Sequence, residues 1–139
     1  MRVYLLKKQK NYISYYNALV YLQITNSIKA MYIYNITINI DDSVHAEWLV
    51  WIQEHIQKVL ATGYFLSAKM TQVLVEEEMG GLTYSIQYTA KTREDLDAYY
   101  KNDAEKLRTE GLVKFADKML AFRTELKVIQ EFYPTVSSN

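Results

Sequence analysis

The amino-acid sequence predicts an α+β domain in which four antiparallel strands form one sheet and two helices cover one of its faces. Residues 32–40 and 82–90 both alternate apolar and neutral polar side chains with a period of two. This period is typical of strands with one buried face and one polar face. A helical stripe of apolar residues follows each of these strands. The predicted order of elements is therefore β-α-β-β-α-β.

The first helix is predicted directly after the first strand. Residues 41–43 (Asp-Asp-Ser) end the strand and offer helix N-caps. From Val44 onwards, apolar residues recur with helical spacing, and both tryptophans fall within this stripe. We interpret the tryptophans as core residues. Thr62 and Gly63 are expected to end the helix.

The middle of the chain predicts a β-hairpin. An extended run over residues 64–75 predicts the second strand. The paired glycines Gly80 and Gly81 mark a turn, and the strand over residues 82–90 follows it. Because this turn joins two strands and opens no helix, we do not interpret it as a phosphate-binding loop.

The second helix and the last strand complete the predicted domain. Thr92 and Asp95 resemble a capping box and open the helix, which is expected to end at Gly111. The last strand is predicted over residues 118–129. The helix residues expected to meet the sheet are Trp48, Ile52, Val59, Leu96, Tyr100 and Leu107.

This order of elements is the split βαβ, ferredoxin-like arrangement. Four segments together also resemble a small family of bacterial domains with no established activity. The resemblance covers roughly residues 31–130 and implies a ferredoxin-like fold related to dimeric α/β-barrel proteins. The segments are Met31-Tyr-Ile-Tyr-Asn-Ile-Thr-Ile-Asn-Ile-Asp41, Leu60-Ala-Thr-Gly63, Gly81-Leu-Thr-Tyr-Ser-Ile-Gln-Tyr88 and Ala121-Phe-Arg-Thr124.

The first thirty residues differ in composition from the rest of the chain. They hold five of the sixteen basic residues and no acidic residue, so residues 31–139 carry a net charge of −5. Scattered Asn, Gln, Ser and Thr interrupt the apolar runs, which argues against a signal peptide or a spanning helix and favours a cytoplasmic protein without a membrane partner. We expect the natural product to begin at Met31. The alternative is a genuine basic arm or an amphipathic surface segment.

We therefore divide the chain into a basic, tyrosine-rich extension (residues 1–30), a ferredoxin-like domain (residues 31–133) and a tail (residues 134–139). The acidic balance of the domain argues against nucleic acid as a partner, because phosphate contacts need basic residues. The chain has no cysteine and only two histidines. No metal site and no cofactor are predicted from this composition.

The polar face of the sheet is the first candidate binding surface. Its neutral residues suit a half-buried interface, so a homodimer is predicted in which two such faces meet and enclose a polar chamber. An arginine in that chamber would need a carboxylate, such as Glu125 of the partner, or a small anionic ligand. The candidates are Asn35, Thr37, Asn39, Thr83, Ser85, Gln87, Arg123 and Glu125.

Two polar residues on the apolar helix faces are the second set of candidates. His55 and Asp103 each fall near the centre of a predicted apolar stripe, where a polar group without a partner is costly. We expect them to hydrogen-bond each other, or Asp103 to bond a tyrosine. A catalytic acid–base pair is the alternative. His45 is expected to be exposed and without a role, and residues 76–78 (Glu-Glu-Glu) are interpreted as a solvated shoulder of the hairpin.

No triad or carboxylate pair identifies an activity. The sequence favours a small homodimeric domain with a binding or regulatory role. The alternative is a cofactor-independent enzyme of the dimeric α/β-barrel type, monooxygenase- or isomerase-like, that uses the polar sheet face. A closed chamber that contains both Arg123 and Gln87 would favour the enzyme.

Overall fold

The computed structural model describes residues 15–18, 30–78 and 80–136 of the chain. Its strands form one four-stranded sheet, and every neighbouring pair is antiparallel. The strands are β1 (Tyr32–Ile40), β2 (Ser67–Gln72), β3 (Leu82–Ala90) and β4 (Met119–Lys127). They lie side by side in the order β2-β3-β1-β4, which leaves β2 and β4 as the edge strands.

The helices lie in the connection from β1 to β2 and in the connection from β3 to β4. The two strands that each connection joins are parallel but are not neighbours in the sheet. The helices are α1 (His45–Ala61), α2 (Arg93–Tyr99) and α3 (Glu105–Phe115). A π-helical turn (Tyr100–Ala104) joins α2 to α3, so together they form the second predicted helix. Thr92 caps α2 as predicted, because its Oγ1 accepts a hydrogen bond from the backbone N–H of Asp95 at 3.1 Å.

Both helical segments pack on the same face of the sheet and share one apolar core with it. Of the six predicted helix residues, Tyr100 is half-buried and the other five are buried. The ferredoxin-like α+β prediction is confirmed. The largest side chains of the core are Trp48, Tyr34, Tyr88, Ile40, Ile52, Ile86, Leu96 and Val59.

The expected end of the second helix at Gly111 is wrong. The helix continues one turn further to Phe115, and Gly111 is buried within it. A Cβ atom at Gly111 would lie 3.0 Å from Cη2 of Trp51 and 3.1 Å from Cε of Met119. Gly111 therefore serves close packing between α1, α3 and β4 and does not end the helix.

The connection between β2 and β3 is longer than predicted, because the second strand is shorter than the predicted run over residues 64–75. Strand β2 ends at Gln72, and β3 begins only at Leu82. Gly80 and Gly81 lie at its end, both with a φ of 78°. Only glycine adopts this conformation readily. The glycines turn the chain into β3 as expected, but a loop precedes them.

The register of β4 overturns one prediction about the faces of the sheet. Arg123 lies opposite Ile36 and Glu125 opposite Tyr34, so both side chains lie on the helix-side face and not on the polar face. Three apolar residues of β4 lie instead on the opposite, open face, whereas Met119 and Ala121 stay on the helix-side face. The reason is that β4 is an edge strand: on its helix-side face only Met119 and Ala121 pack against the core, whereas Arg123 and Glu125 are exposed. The exposed apolar residues of β4 on the open face are Leu120, Phe122 and Leu126.

The expectations about the N-terminal extension fall mainly outside the described residues. Within it, residues 15–18 are helical, and the side chains of Tyr15 and Tyr16 are exposed. The tail is described as far as Val136. Among the helices that the structure describes, none is long and apolar enough to cross a membrane.

Candidate anion-binding site

A cleft beside β4 brings together two arginines, two tyrosines and a glutamate. It is open to solvent and has a volume of about 380 Å³. We call it the basic cleft. It lies on the helix-side face, between the edge strand and the second helical segment. Its lining residues are Tyr34, Tyr100, Arg108, Arg123, Thr124 and Glu125.

Two guanidinium groups converge on one hydroxyl group in the basic cleft. Arg108 donates from Nε and Nη2 to the hydroxyl oxygen of Tyr34, at 3.2 and 2.9 Å. Arg123 donates from Nε to the same oxygen at 3.0 Å. The guanidinium of Arg108 also lies over the rings of Tyr34 and Tyr100, 5.7 and 5.6 Å from their centroids. Such cation–π contacts hold the side chain in place.

The elements position these side chains for simple reasons. Tyr34 belongs to the apolar stripe of β1, and its ring is buried under the helices. Arg123 lies on the neighbouring strand, on the same face. Arg108 directly follows the buried Leu107 on α3, so its long side chain reaches along the rim of the core. The hydroxyl of Tyr34 marks the point where the core ends and the cleft begins.

Glu125 is held at the opposite end of the basic cleft. Its carboxylate accepts hydrogen bonds from Arg93 and from the hydroxyl of Tyr100, the latter at 3.0 Å. The bond from Arg93 is the main cause that lowers the pKa of Glu125. Burial, and then the bond to Glu125, raise the pKa of Tyr100. Glu125 is therefore anionic and engaged within its own chain.

This arrangement leaves the two arginines without a carboxylate partner. Glu125 pairs with Arg93, which also contacts Asp97 at 2.8 Å. The expectation that a partner's Glu125 would pair with Arg123 therefore does not fit this geometry. Within the described residues, neither Arg108 nor Arg123 forms a salt bridge. The basic cleft thus holds two uncompensated positive charges.

The open face carries the remaining polar-face candidates. Cross-strand neighbours are Asn35 and Gln87, Thr37 and Ser85, and Asn39 and Thr83. Many of these side chains satisfy one another: Ser85 Oγ donates to Oδ1 of Asn35 at 2.6 Å, Asn35 Nδ2 donates to Thr124 at 3.2 Å, and Asn39 Nδ2 donates to Thr83 at 3.2 Å. On β1 and β3 the open face is therefore a neutral, internally hydrogen-bonded surface, and the sheet separates it from Arg123.

The structure does not bring His55 and Asp103 together as a hydrogen-bonded pair. His55 stacks on Trp51, with ring centroids 4.5 Å apart, and its Nδ1 lies 3.9 Å from a carboxylate oxygen of Glu110. Burial is the main cause that lowers the pKa of His55. Its Nδ1 has no hydrogen-bond partner. Asp103 lies in the π-helical turn and is half-buried.

A small interior cavity adjoins the basic cleft. Its volume is about 40 Å³, and it lies between the helices and the sheet. Tyr34, Arg108 and Arg123 line both the cavity and the cleft. His55 and Tyr99 line the cavity but not the cleft. The two arginines therefore stand between solvent and the interior.

Sequence reasoning does not identify four residues of the basic cleft as site residues. The sequence pattern assigns Tyr34 to a strand stripe and Tyr100 to the core, and it singles out neither Arg108 nor Thr124. Their convergence depends on the register of β1 with β4, which no local pattern encodes. The expectation that His45 is exposed is also wrong, because the side chain is half-buried: its Nε2 lies 2.7 Å from the hydroxyl of Tyr84, and the two rings stack.

The acidic shoulder of the hairpin contributes one hydrogen bond to the sheet. Thr83 Oγ1 donates to a carboxylate oxygen of Glu77 at 2.5 Å, whereas Glu76 and Glu78 are exposed. No group of three or more His, Asp or Glu side chains in the described parts of the chain is placed to hold a metal ion.

Solved structures share this fold at low sequence identity. A conserved protein of unknown function from Bacteroides thetaiotaomicron, described as a possible oxidoreductase, is 11% identical with a TM-score of 0.54, and the match covers 72% of this chain and 99% of that one. A dimeric ferredoxin-like protein from an uncultured marine organism is 16% identical with a TM-score of 0.45, over 74% and 99% of the two chains. Hydroxynitrile lyase from Passiflora edulis is 16% identical with a TM-score of 0.49, over 74% and 97%.

The comparison with curated proteins gave no match. The comparison with family models gave one, to a domain of unknown function, DUF4286, over residues 31–129. This match covers most of the chain and confirms the resemblance seen in the sequence. The chain therefore belongs to the DUF4286 family.

Proposed function

We propose that the protein is a homodimeric binding domain for a small oxyanion, a carboxylate or a phosphate, held in the basic cleft. The observation that carries this proposal is the convergence of Arg108 and Arg123 on the hydroxyl of Tyr34 without a carboxylate between them. The planar guanidinium fork matches the geometry of carboxylate and phosphate groups. An oxyanion would relieve the repulsion between the two like charges.

The walls of the basic cleft suit a small organic anion. Its volume of about 380 Å³ falls in the range of small-molecule sites. Tyr34 and Tyr100 supply aromatic surface, and their hydroxyl groups supply polar contacts. Glu125 closes the far end, but its charge is compensated by Arg93. An anion can therefore approach the arginines without strong repulsion from this carboxylate.

Calorimetric titration of the full chain with sodium benzoate and with inorganic phosphate tests the proposal. The wild-type protein is expected to bind at least one of the two, and Arg108→Gln or Arg123→Gln is expected to weaken that binding at least tenfold. Lys101→Gln serves as the matched control, since Lys101 is exposed on the π-helical turn and lies outside the lining of the cleft. Binding of neither anion at millimolar concentration, or equal binding by all variants, would contradict the proposal.

The homodimer is proposed to form through the open face. Exposed apolar side chains stand on β4, beside neutral polar side chains on β1 and β3. Lone exposed apolar residues are ordinary, but a row of them on an uncovered sheet face marks an interaction site. A second copy offers the same neutral, half-buried surface and closes the assembly by two-fold symmetry. The apolar residues are Leu120, Phe122 and Leu126.

A cofactor-independent enzyme is the second candidate function. The chamber expected on the polar sheet face lacks its arginine, because Arg123 and Gln87 lie on opposite faces. The observation that favours an enzyme is instead the interior cavity behind the arginines, where His55 has a lowered pKa. A neutral histidine is a suitable general base. Turnover of a bound carboxylic acid that His55→Phe abolishes, with binding retained, would favour this candidate.

A further inference from the structure

The chain beyond β4 presents large apolar side chains that nothing in the described chain covers. Residues 128–136, which we call the C-terminal arm, belong to no helix or strand. Val128 donates one backbone hydrogen bond to Met31, at 2.8 Å. Four side chains of the arm are 78–94% exposed: Ile129, Phe132, Tyr133 and Val136. So much exposed apolar surface in one short segment is typical of a segment that binds a protein surface.

The direction of the strands fixes where the arm leaves the sheet. Lys127, the last residue of β4, lies opposite Tyr32 at one end of β1. Tyr32 also pairs with Ala90 of β3, and the neighbouring Thr89 pairs with Ser67 at the start of β2. The arm therefore departs from the same end of the sheet at which β2 begins, but from the opposite edge.

A two-fold axis parallel to the strands would bring these two places together. If two open faces meet around such an axis, β4 of one protomer lies opposite β2 of its partner, and the ends of the sheets coincide. Facing sheets pack about 10 Å apart. An extended chain advances about 3.3 Å per residue, so the four residues from Lys127 to Glu131 can cross that gap.

The C-terminal arm and the open face each carry one charged residue, and the two charges are opposite in sign. Glu131 is the one charged residue of the C-terminal arm, residues 128–136. Lys69, which lies opposite Gln87, is the one charged residue that the strands place on the open face. In the isolated chain, Glu131 accepts a hydrogen bond from the hydroxyl of Tyr133 at 2.7 Å, and no cation of the described chain pairs with it.

We infer that the C-terminal arm of each protomer binds along β2 of a second copy of the chain and places Glu131 beside the partner's Lys69. The apolar side chains of the arm then pack at the rim of the open-face interface, next to the aliphatic part of that lysine. The inference depends on the proposed dimerisation through the open face. It adds a specific axis, a specific edge strand and a reciprocal ion pair.

A charge-exchange experiment on the full chain tests the arm. Dimer dissociation constants are measured by sedimentation equilibrium at low ionic strength for Lys69→Glu, Glu131→Lys and the double variant. Each single change places like charges together and is expected to weaken the dimer roughly threefold to tenfold, and the double variant is expected to recover most of the loss. Glu54→Lys, at an exposed position on α1, serves as the control.

Phe132→Asp and Phe122→Asp separate this inference from the proposed dimer. Phe132 is exposed in the single chain, so its replacement leaves the fold intact, and we expect it to weaken the dimer at least tenfold. If Phe122→Asp dissociates the dimer while the Lys69, Glu131 and Phe132 variants do not, the open-face dimer stands and the arm inference fails. A full chain that is monomeric at tens of micromolar contradicts both. Failure of the double variant to recover also contradicts the arm inference.

Discussion

The chemistry of the basic cleft depends on the positions of three polar groups, the hydroxyl of Tyr34 and the guanidinium groups of Arg108 and Arg123. Tyr34 is a core residue in every respect except its hydroxyl oxygen, which lies at the margin of the core, between β4 and the second helical segment. Arg108 and Arg123 reach that oxygen from a helix and from a strand. Each contact is ordinary by itself. Together they place two positive charges over a single neutral acceptor, and this is the feature that a ligand can use.

His55 makes the stability of the domain depend on pH. Burial lowers its pKa in the folded state, whereas Glu110 opposes this shift and Lys58 adds to it. The unfolded chain therefore binds the proton more readily, so the contribution of neutral His55 is complete above about pH 6.5 and is lost as the pH falls through the folded pKa. His55→Phe keeps the stack on Trp51 and removes the titration. Urea unfolding at pH 7.5 and 5.5 should show a larger loss for the wild type than for His55→Phe, and equal losses would contradict the assignment.

Gly111→Ala compares two opposing effects at one position. Alanine is favoured over glycine in a helix interior by about 1 kcal/mol. The added methyl group, however, must displace both Trp51 and Met119, which lie 3.0 and 3.1 Å from its position. Overpacking of this kind costs about 1–3 kcal/mol, so we expect a net loss of about 1 kcal/mol in the free energy of unfolding. A variant more stable than the wild type in urea would contradict this expectation, because it would show that Trp51 and Met119 move aside at little cost.

At the scale of elements, the strongly periodic segments were predicted well. The bounds of β1 and β3 follow from two-residue alternation, and the cap of α2 follows from Thr92. The faces of β4 could not be predicted in the same way, because both of its faces are partly exposed. The alternation then shows which residues share a face of β4, but not which of the two faces turns toward the helices. The basic cleft depends on this orientation, and the sequence pattern assigns Arg123 to the wrong face.

The two glycines before β3 have different roles, and substitution should separate them. Both have a φ of 78°, a conformation that costs an alanine about 1–2 kcal/mol. A Cβ at Gly80 meets nothing within 4 Å, whereas one at Gly81 would lie 2.6 Å from the backbone oxygen of Ile40. Gly81→Ala should therefore cost at least about 1 kcal/mol more than Gly80→Ala, as measured by urea unfolding. Equal losses would mean that the loop does not dock on the end of β1.

At the scale of the whole molecule, the two faces of the sheet have different roles. The helix-side face supplies the core and, at the uncovered edge, the basic cleft. The open face supplies a neutral surface with an apolar row on β4. A ligand site and an interface can therefore coexist on one small domain. This division also explains why a polar sheet face in the sequence suggested a single chamber, where the structure separates two surfaces.

Replacement of Phe122 by aspartate should break the dimer without unfolding the protomer. Phe122 is 63% exposed in the single chain, so its loss should change the stability of the protomer by no more than about 0.5 kcal/mol. Burial of the new carboxylate in the interface should weaken association at least tenfold. Leu112→Asp is the matched control, at a similarly exposed position on α3. Light scattering that shows the same mass for both variants at tens of micromolar would contradict the open-face dimer.

The most direct test of the account is to observe the arginine side chains while an anion binds. The sequence has four arginines, so the Nε–Hε region of a ¹⁵N NMR spectrum is simple to assign. The Nε atoms of Arg108 and Arg123 both donate to the hydroxyl of Tyr34, and they report on any anion that replaces this contact. During titration with benzoate or phosphate, we expect these two resonances to shift together and to saturate with one dissociation constant, while that of Arg93 moves little. Unchanged resonances of Arg108 and Arg123 at millimolar anion would contradict the proposed site.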